Sequence, residues 1–427
     1  MRNKDLKIAL LGNMNNNNFA LMRYFRDAGY DAHLFYFSNE DTGTLAHFHP
    51  QNDTINWEKW KQFVHKLSFP NDLSSGLSRT MQLPIILYNI FRPGLHKKIK
   101  AFLYANKELH EIFQNYNFII GSGITPAAAG RLGLRLDIFY PYGNGVEFLN
   151  SKSMQDAKLS KNIFKKLIAS MVQNEQRKGI QNARYTTNAE VGLTEQSLNS
   201  IGVKSEKLFI PMVYVDEGDE IAFDGVKMPG NNSEITILHH CRHHWCMSAN
   251  EQALHSKHNE WVFEAVAHLV RTHPCMSIKL VMFEYGKDVS ASKEMCATLG
   301  ITDHITWLPI QPRKQIINIM KNCDIVIGEF YEIHNVLWGG TAWEAMAMAK
   351  PLIQGFKFHS DEFTKIFNSE EPPFHKVATL GDLQHQLEAL ITASSEERIY
   401  FGKRNQDWFH LHNGRASAQS WIDLLLS

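Results

Sequence analysis

One carboxylate stands alone in the stretch GGTAWEAMAMAKPLI, Gly339 to Ile353. Two glycines and a threonine lead into residues with helical character, and Pro351 stops them. Glu344 is the only acid, set among Ala345, Met346 and Ala347. A glutamate near a helix start can simply complement the helix dipole. Small apolar neighbours instead predict a packed helix that a ligand can approach closely. The turn Gly339-Gly340-Thr341 leaves backbone N–H groups without intrahelical partners, suited to phosphate oxygens or sugar hydroxyls. A second dense cluster is HHCRHHWC, His239 to Cys246. Imidazoles and thiols are zinc ligands. Yet neighbours along a strand point to opposite faces, and no second Cys/His pair follows at finger-like spacing. No structural metal is expected.

These residues need elements to position them. KIALLGN (Lys7 to Asn13) reads as a buried strand ending in Gly12, and the loop NMNNNN follows. Leu21, Tyr24, Phe25 and Ala28 recur at helical spacing, and DAHLFYF is a second strand, giving a β-loop-α-β unit. NFIIGSG, LDIFYPYGNG, ARYTTN and KLFIPMVYV read as further strands. Polar helical stretches lie at about Ser153 to Gln181 and in EVGLTEQSLNSIG. The acidic, Pro/Gly/Asn-bearing segment Asp216 to Glu234 reads as a linker. A second alternating series runs from ITILHHC through NEWVFEAVAHLVRTH, SIKLVMF, HITWLPI and DIVIGEF to PLIQGF. NQDWFHLHNGRASAQSWIDLLL reads as a final amphipathic helix.

The chain has 427 residues, enough for two domains, and 44 basic against 44 acidic side chains. That balance predicts no nucleic-acid partner. No signal-peptide pattern or spanning stretch is seen, and five cysteines make no disulfide framework, so a cytoplasmic setting is expected.

From ITILHHCR to AKPLIQGF the chain resembles the C-terminal domain of family 4-type glycosyltransferases, in the family's order: a strand ending in Arg242, a lysine, Lys257, opening a helix, then HITWLPI, CDIVIGEF and the glycine-rich turn into EAMAMAKPLI. The resemblance implies the GT-B fold: α/β, two doubly wound Rossmann-like domains facing each other across a cleft. It implies that Arg242 and Lys257 stabilise a leaving diphosphate, charge stabilisation being usually the largest catalytic contribution. It implies that Glu344 accepts the ribose hydroxyls, that Gly339, Gly340 and Thr341 meet phosphate or sugar, and that backbone around Leu308 and Ile310 reads the base. His243 or His244, beside Arg242, is expected to line the diphosphate pocket. The family places a second glutamate eight positions before Glu344, on the donor sugar; here that position is Val336. Glu329, Glu332, His334 and Asn335 stand nearby as substitutes.

In the first half, Gly12 and Asn13 end the first strand where the family has a glycine-containing loop near donor phosphates and acceptor. Asn144, in PYGNG, stands where the family often has a histidine at the reaction centre. Residues Leu77 to Phe102 mix an apolar run with Arg92, Lys97, Lys98 and Lys100, a composition suited to peripheral membrane contact. The expected division is an N-terminal, acceptor-binding domain over 1–215, a linker over 216–234, a nucleotide-sugar domain over 235–405, and a C-terminal helix over 406–427 packing back on the first domain. The expected activity is metal-independent transfer of a sugar from a UDP- or GDP-sugar to a hydroxyl of a glycan or lipid-linked acceptor, in bacterial surface polysaccharide or glycoconjugate synthesis, with no required cofactor. A nucleotide-sugar 2-epimerase of the same fold and a non-catalytic sugar-binding subunit are the alternatives. A Rossmann dehydrogenase is disfavoured, because GNMNNNN lacks the G-x-G-x-x-G fingerprint.

Overall fold

The computed structural model describes residues 6–37, 49–67, 109–123, 125–141, 163–188, 193–214, 234–246, 256–332, 334, 336–359 and 361–427. Asn144, Asn335, the basic-apolar segment 77–102 and nearly all of the expected linker lie outside these residues.

The chain divides into two compact units, one made of Met1–Tyr214 with Ser417–Ser427, the other of Val215–Ala416. The first is built on strands β1 (Lys7–Leu11), β2 (Asp31–Phe37), β3 (Val64–Leu67), β4 (Phe118–Ser122), β5 (Ile138–Tyr140) and β6 (Tyr185–Thr186). Its helices are α1 (Asn17–Asp27), α2 (Trp57–Trp60), α3 (Thr125–Arg131), α4 (Ile163–Asn182) and α5 (Leu193–Ser200). The sheet order is β3-β2-β1-β4-β5-β6, and every pairing is parallel.

The second unit carries β7 (Glu234–His239), β8 (Ser277–Phe283), β9 (Ile305–Leu308), β10 (Ile325–Ile327), β11 (Leu352–Gly355) and β12 (His375–Val377). Its helices are α6 (Asn259–Thr272), α7 (Val289–Thr298), α8 (Arg313–Lys321), α9 (Gly340–Ala347), α10 (Glu362–Phe367), α11 (Leu380–Thr392) and α12 (Ser395–His412). The order is β12-β11-β10-β7-β8-β9, again parallel throughout. Helix α13 (Arg415–Leu426) closes the chain.

Parallel strands are covered on both faces, so they read as continuous apolar runs. Ile325, Val326 and Ile327 are fully buried, as are Ile8, Ala9 and Leu10. One face of the first sheet packs Leu10, Phe25, Ile138 and Tyr140 with Trp421 of α13; the other packs Leu11, Phe113, Phe139 and Ile180. In each sheet the strand order reverses beside the first strand, between β1 and β4 and between β7 and β10. Ligands of doubly wound sheets bind at the carboxyl ends of strands at such points.

Three expectations need correction. Residues 207–214 form no strand; Phe209 and Val213 are buried there, and the Phe209 carbonyl accepts from the Trp421 indole at 3.0 Å. Their backbone thus serves α13 rather than a sheet edge. The final helix is two helices, because Gly414 takes φ +58 after Asn413, a left-handed turn that ends α12. Lys257 does not open a helix: α6 starts at Asn259 after a left-handed His258 (φ +46), so Lys257 sits on the loop before it.

Candidate nucleotide-sugar site

The site grows from the end of β7. His239 is fully buried; its Nδ1–H donates to the Ile327 carbonyl of β10 (3.0 Å) and its Nε2 accepts from Asn259 (2.9 Å). Burial pushes its pKa down to about 3, so this ring is a neutral strut between strand and helix. The next residue points the other way. His240 Nε2 lies 2.7 Å from Glu344 Oε2 on α9. Cys241 Sγ donates to Thr341 Oγ1 at 3.6 Å, fastening the loop to the first turn of the same helix.

Glu344 is 5 % exposed and faces inward from the second turn of α9. The dipole-complement reading therefore fails, since first-turn acids are absent from α9. The helix is small-sided because it is packed: Ala345, Met346 and Ala347 are buried, and Trp343 stacks on Trp408 of α12 at 6.0 Å. Arg313, the first residue of α8, donates from Nε to Glu344 Oε1 at 2.6 Å. Burial alone would raise the Glu344 pKa; the Arg313 charge and the His240 hydrogen bond outweigh it, and the carboxyl is held below its usual range. Glu344 is thus a buried, ionised carboxylate with a donor on each oxygen.

A second cluster adjoins it across the glycine turn. Lys257 Nζ donates to Glu329 Oε2 (2.7 Å) and to the Tyr331 hydroxyl (2.7 Å), and the Tyr331 hydroxyl donates to the same Glu329 oxygen. Burial opposes ionisation of Glu329, but Lys257 and Tyr331 outweigh it and its pKa is lowered. A Cβ on Gly339 would stand 3.1 Å from Glu329 Oε2, and one on Gly340 would stand 3.4 Å from Arg313 Nη2. The glycines therefore let two side-chain clusters press against the start of α9. Gly355 plays the same part behind Glu329, where a Cβ would come within 2.7 Å of the Glu329 carbonyl.

Arg242 is exposed and hydrogen-bonds Tyr285, a phenol whose pKa burial raises, Arg242 lowers and Glu329 raises. Arg242 and Glu329 thus act on the same side chain. His243 turns into the core, with Nδ1 2.8 Å from Ser292 Oγ and its pKa pushed down to about 4 by burial. His244 is half-buried, and its backbone holds Asn259 and Lys257. Leu308 ends β9, its carbonyl bonded to Glu284; Ile310 is 37 % exposed beyond it. His334 is exposed and stacks on His359 at 4.8 Å, and Val336 is half-buried. Among the described residues no group of three or more His, Cys, Asp or Glu is arranged to hold a metal ion.

Sequence reasoning missed His240 and Arg313. Arg313 carried a usable signal: a cation at the first position of a helix opposes the dipole, which points to a partner elsewhere. In the first unit, Gly12 takes φ +81 and Asn13 is buried, its Oδ1 accepting from Phe19 N–H (3.0 Å) and its Nδ2 donating to Asn16 (2.7 Å).

Residues 251–355 match the family model described as glycosyl transferases group 1. The chain carries a glycosyltransferase domain. Lys257, Arg313, Glu329, Tyr331, Gly339, Gly340, Thr341 and Glu344 lie inside that match, whereas His239 to His244 precede it. Solved structures share the fold along nearly the whole chain. A glycosyltransferase from Rickettsia africae ESF-5 is 13% identical, TM-score 0.56, covering 99% of this chain and 98% of its own. A sucrose-phosphate synthase from Thermosynechococcus elongatus is 13% identical, TM-score 0.56, covering 98% of each. The lipopolysaccharide outer core galactosyltransferase WaaB in its apo form is 12% identical, TM-score 0.52, covering 99% of each. No curated protein matches the sequence. The enzyme therefore has the two-Rossmann GT-B fold. Among the described residues no helix is long and apolar enough to cross a membrane.

Proposed function

We propose that this glycosyltransferase takes its sugar from a nucleoside diphosphate donor, UDP- or GDP-linked, held in the second unit. The observation that carries the reading is Glu344: an ionised carboxylate, buried at the switch point of the second sheet and fixed by His240 and Arg313. Ribose hydroxyls are donors, and a carboxylate whose two oxygens are already oriented accepts them without reorganisation. Lys257 and Arg242 stabilise the diphosphate as it leaves, a point charge and a planar fork. Gly339, Gly340 and Thr341 bring backbone N–H groups to phosphate or sugar, and the segment Leu308 to Ile310 meets the base.

Glu329 takes the role that Val336 cannot. Its carboxylate lies against Gly339 and is paired with Lys257, which supports contact with donor-sugar hydroxyls. The first unit takes the acceptor, a glycan or lipid-linked hydroxyl, with Gly12 and Asn13 at its strand end. The setting is bacterial surface polysaccharide or glycoconjugate synthesis, with peripheral membrane contact by residues 77–102. A thermal-shift panel of nucleoside diphosphates, run on wild type, Arg242→Ala and Glu344→Ala, tests the reading. At least one nucleotide should stabilise wild type, and Glu344→Ala should weaken it tenfold or more; undiminished binding in both variants would reject it.

A further inference from the structure

Two consecutive residues, Lys257 and His258, grip opposite sides of one short segment. Successive side chains of an extended chain point to opposite sides, and the contacts of Glu329 to Glu332 follow that alternation. Glu329 Oε2 and the Tyr331 hydroxyl meet Lys257 Nζ, each at 2.7 Å. Phe330 and Glu332 turn the other way. Phe330 lies against Trp261, with ring centroids 5.7 Å apart, and Trp261 stacks on His258 at 4.5 Å. Glu332 Oε1 stands 3.6 Å from His258 Nε2. The two loops also meet through backbone, where Phe330 N–H donates to the Lys257 carbonyl at 3.4 Å.

His258 departs from an ordinary helix-start residue in three ways. Its backbone is left-handed (φ +46, ψ +46), uncommon for a residue with a Cβ and kept only where the surroundings hold it. Its side chain is buried, yet it caps no N–H of α6; Nδ1–H donates instead to Glu260 Oε1 at 2.7 Å. Its Nε2 is buried with no hydrogen-bond partner, and the acceptor it faces is Glu332, beyond hydrogen-bond range. Starting α6 requires none of this, since glycine takes the same φ without strain. Strained backbone and unpartnered buried nitrogen call for a reason. The ring's far side points to the segment that carries both side-chain partners of Lys257.

We propose that His258 is a positioning residue. It holds the outer side of residues 329–332 through Glu332 and Trp261, so that Glu329 and Tyr331 keep Lys257 Nζ where a leaving diphosphate meets it. The consequence for rate rests on the role given to Lys257 above; the hold on Lys257 does not. A lysine stem is flexible, and a displacement of about 1 Å can cost about a hundredfold in rate.

Three variants of the full chain separate this from a structural role. Asparagine also enters the left-handed region, and its carboxamide falls where Nδ1 stands, so His258→Asn keeps the Glu260 contact and loses the reach to Glu332. His258→Gln carries its carboxamide to the Nε2 position and restores that reach. Glu332 is half-exposed, so Glu332→Ala removes the other partner without opening the core. Release of nucleoside diphosphate from UDP-glucose, UDP-galactose, UDP-N-acetylglucosamine and GDP-mannose gives kcat, and titration with UDP and GDP gives affinity. His258→Asn and Glu332→Ala should each lower kcat about tenfold while nucleotide affinity changes less than about threefold. The double variant should lose no more than either, and His258→Gln should recover at least a third of wild-type kcat. Reductive methylation with a carbon-13 label reads the hold directly by NMR. The Lys257 methyl signal, identified by its loss in Lys257→Arg, should move toward the exposed-lysine position in His258→Asn and Glu332→Ala and stay in place in His258→Gln. An unmoved signal in the first two, unchanged kcat, equal losses of kcat and affinity, or no difference between the Asn and Gln variants would overturn the proposal. A wild type that releases nucleotide from none of the donors would reject the donor reading, while the methyl signal still decides the hold on Lys257.

Discussion

Replacing Arg313 by methionine separates structure from ligand binding at the second switch point. The Arg313 side chain is 18 % exposed and its Glu344 partner 6 %, with Nε 2.6 Å from Oε1. At an effective dielectric of about 20 and a charge separation of about 4 Å the attraction is about 4 kcal/mol. His240 stays on the other oxygen and shares the carboxylate's charge. The expected loss is therefore about 2–4 kcal/mol, near the low end of what breaking a buried pair costs. In a domain of this size that lowers the unfolding temperature by roughly 2–4 °C per kcal/mol. The double variant Arg313→Met/Glu344→Met should recover about half of the loss or more, because it leaves no uncompensated charge, and the cycle gives the coupling. The pH dependence has a definite sign. The folded Glu344 pKa lies below its ordinary value of 4.5, so its contribution is present above that pH and fades as the pH falls through the folded value. Arg313→Met should shrink this acid sensitivity. Calorimetric unfolding at pH 7.5 and pH 4 reads both effects. A single-variant cost under about 1 kcal/mol, or strictly additive losses in the cycle, would refute the view that Glu344 is held as a buried anion.

Glu329→Gln removes the charge opposite Lys257; donor turnover should fall at least tenfold while nucleoside diphosphate affinity holds or improves, as Lys257 is released to the phosphates, and steady-state kinetics beside nucleotide titration measure the split. His239 and His243 have pKa values near 3 and 4 through burial, against an ordinary 6.5. The unfolded chain therefore takes up protons that the folded one refuses, and urea midpoints should decline as pH drops from about 6.5 toward 4; a flat profile would contradict their burial as neutral rings. Gly355→Ala should cost about 1–3 kcal/mol and weaken nucleotide binding, because its Cβ would meet the Glu329 carbonyl at 2.7 Å. Trp421→Ala should cost about 3–5 kcal/mol in chemical denaturation, since the indole is fully buried, lies 5.1 Å from Tyr140 and bonds the Phe209 carbonyl.

The alternation of apolar strands and helices made both parallel sheets legible, because strands covered on two faces leave runs such as DIVI and KIALL. Glu344 was legible for a related reason: a lone acid amid alanine and methionine must be held by something. What holds it was not. His240 is 104 residues away from Glu344 and Arg313 is 31, and only the crossover that sets β7 beside β10 brings the three together. Of four histidines in six positions the sequence favours His243 or His244 for the ligand, yet alternation along a strand end sends His239 to the core and His240 to the carboxylate. His243 goes to Ser292 because the loop turns there, with Asp288 accepting the Trp245 and Cys246 N–H groups. The strand expected at 207–215 failed because apolar content alone does not distinguish sheet pairing from a segment that packs under a helix.

The closing helix has a consequence for biosynthesis. Residues 417–427 belong with 1–214, whereas 215–416 form one uninterrupted run. That middle run is contiguous, so its fold needs no residue from elsewhere in the chain. The earlier half must wait: until Ser417, Trp421 and Leu425 emerge, the apolar surface formed by Leu10, Phe25 and Ile138 stays uncovered. The half made first thus cannot complete its core before this last helix emerges, and chaperone demand should concentrate on that nascent half.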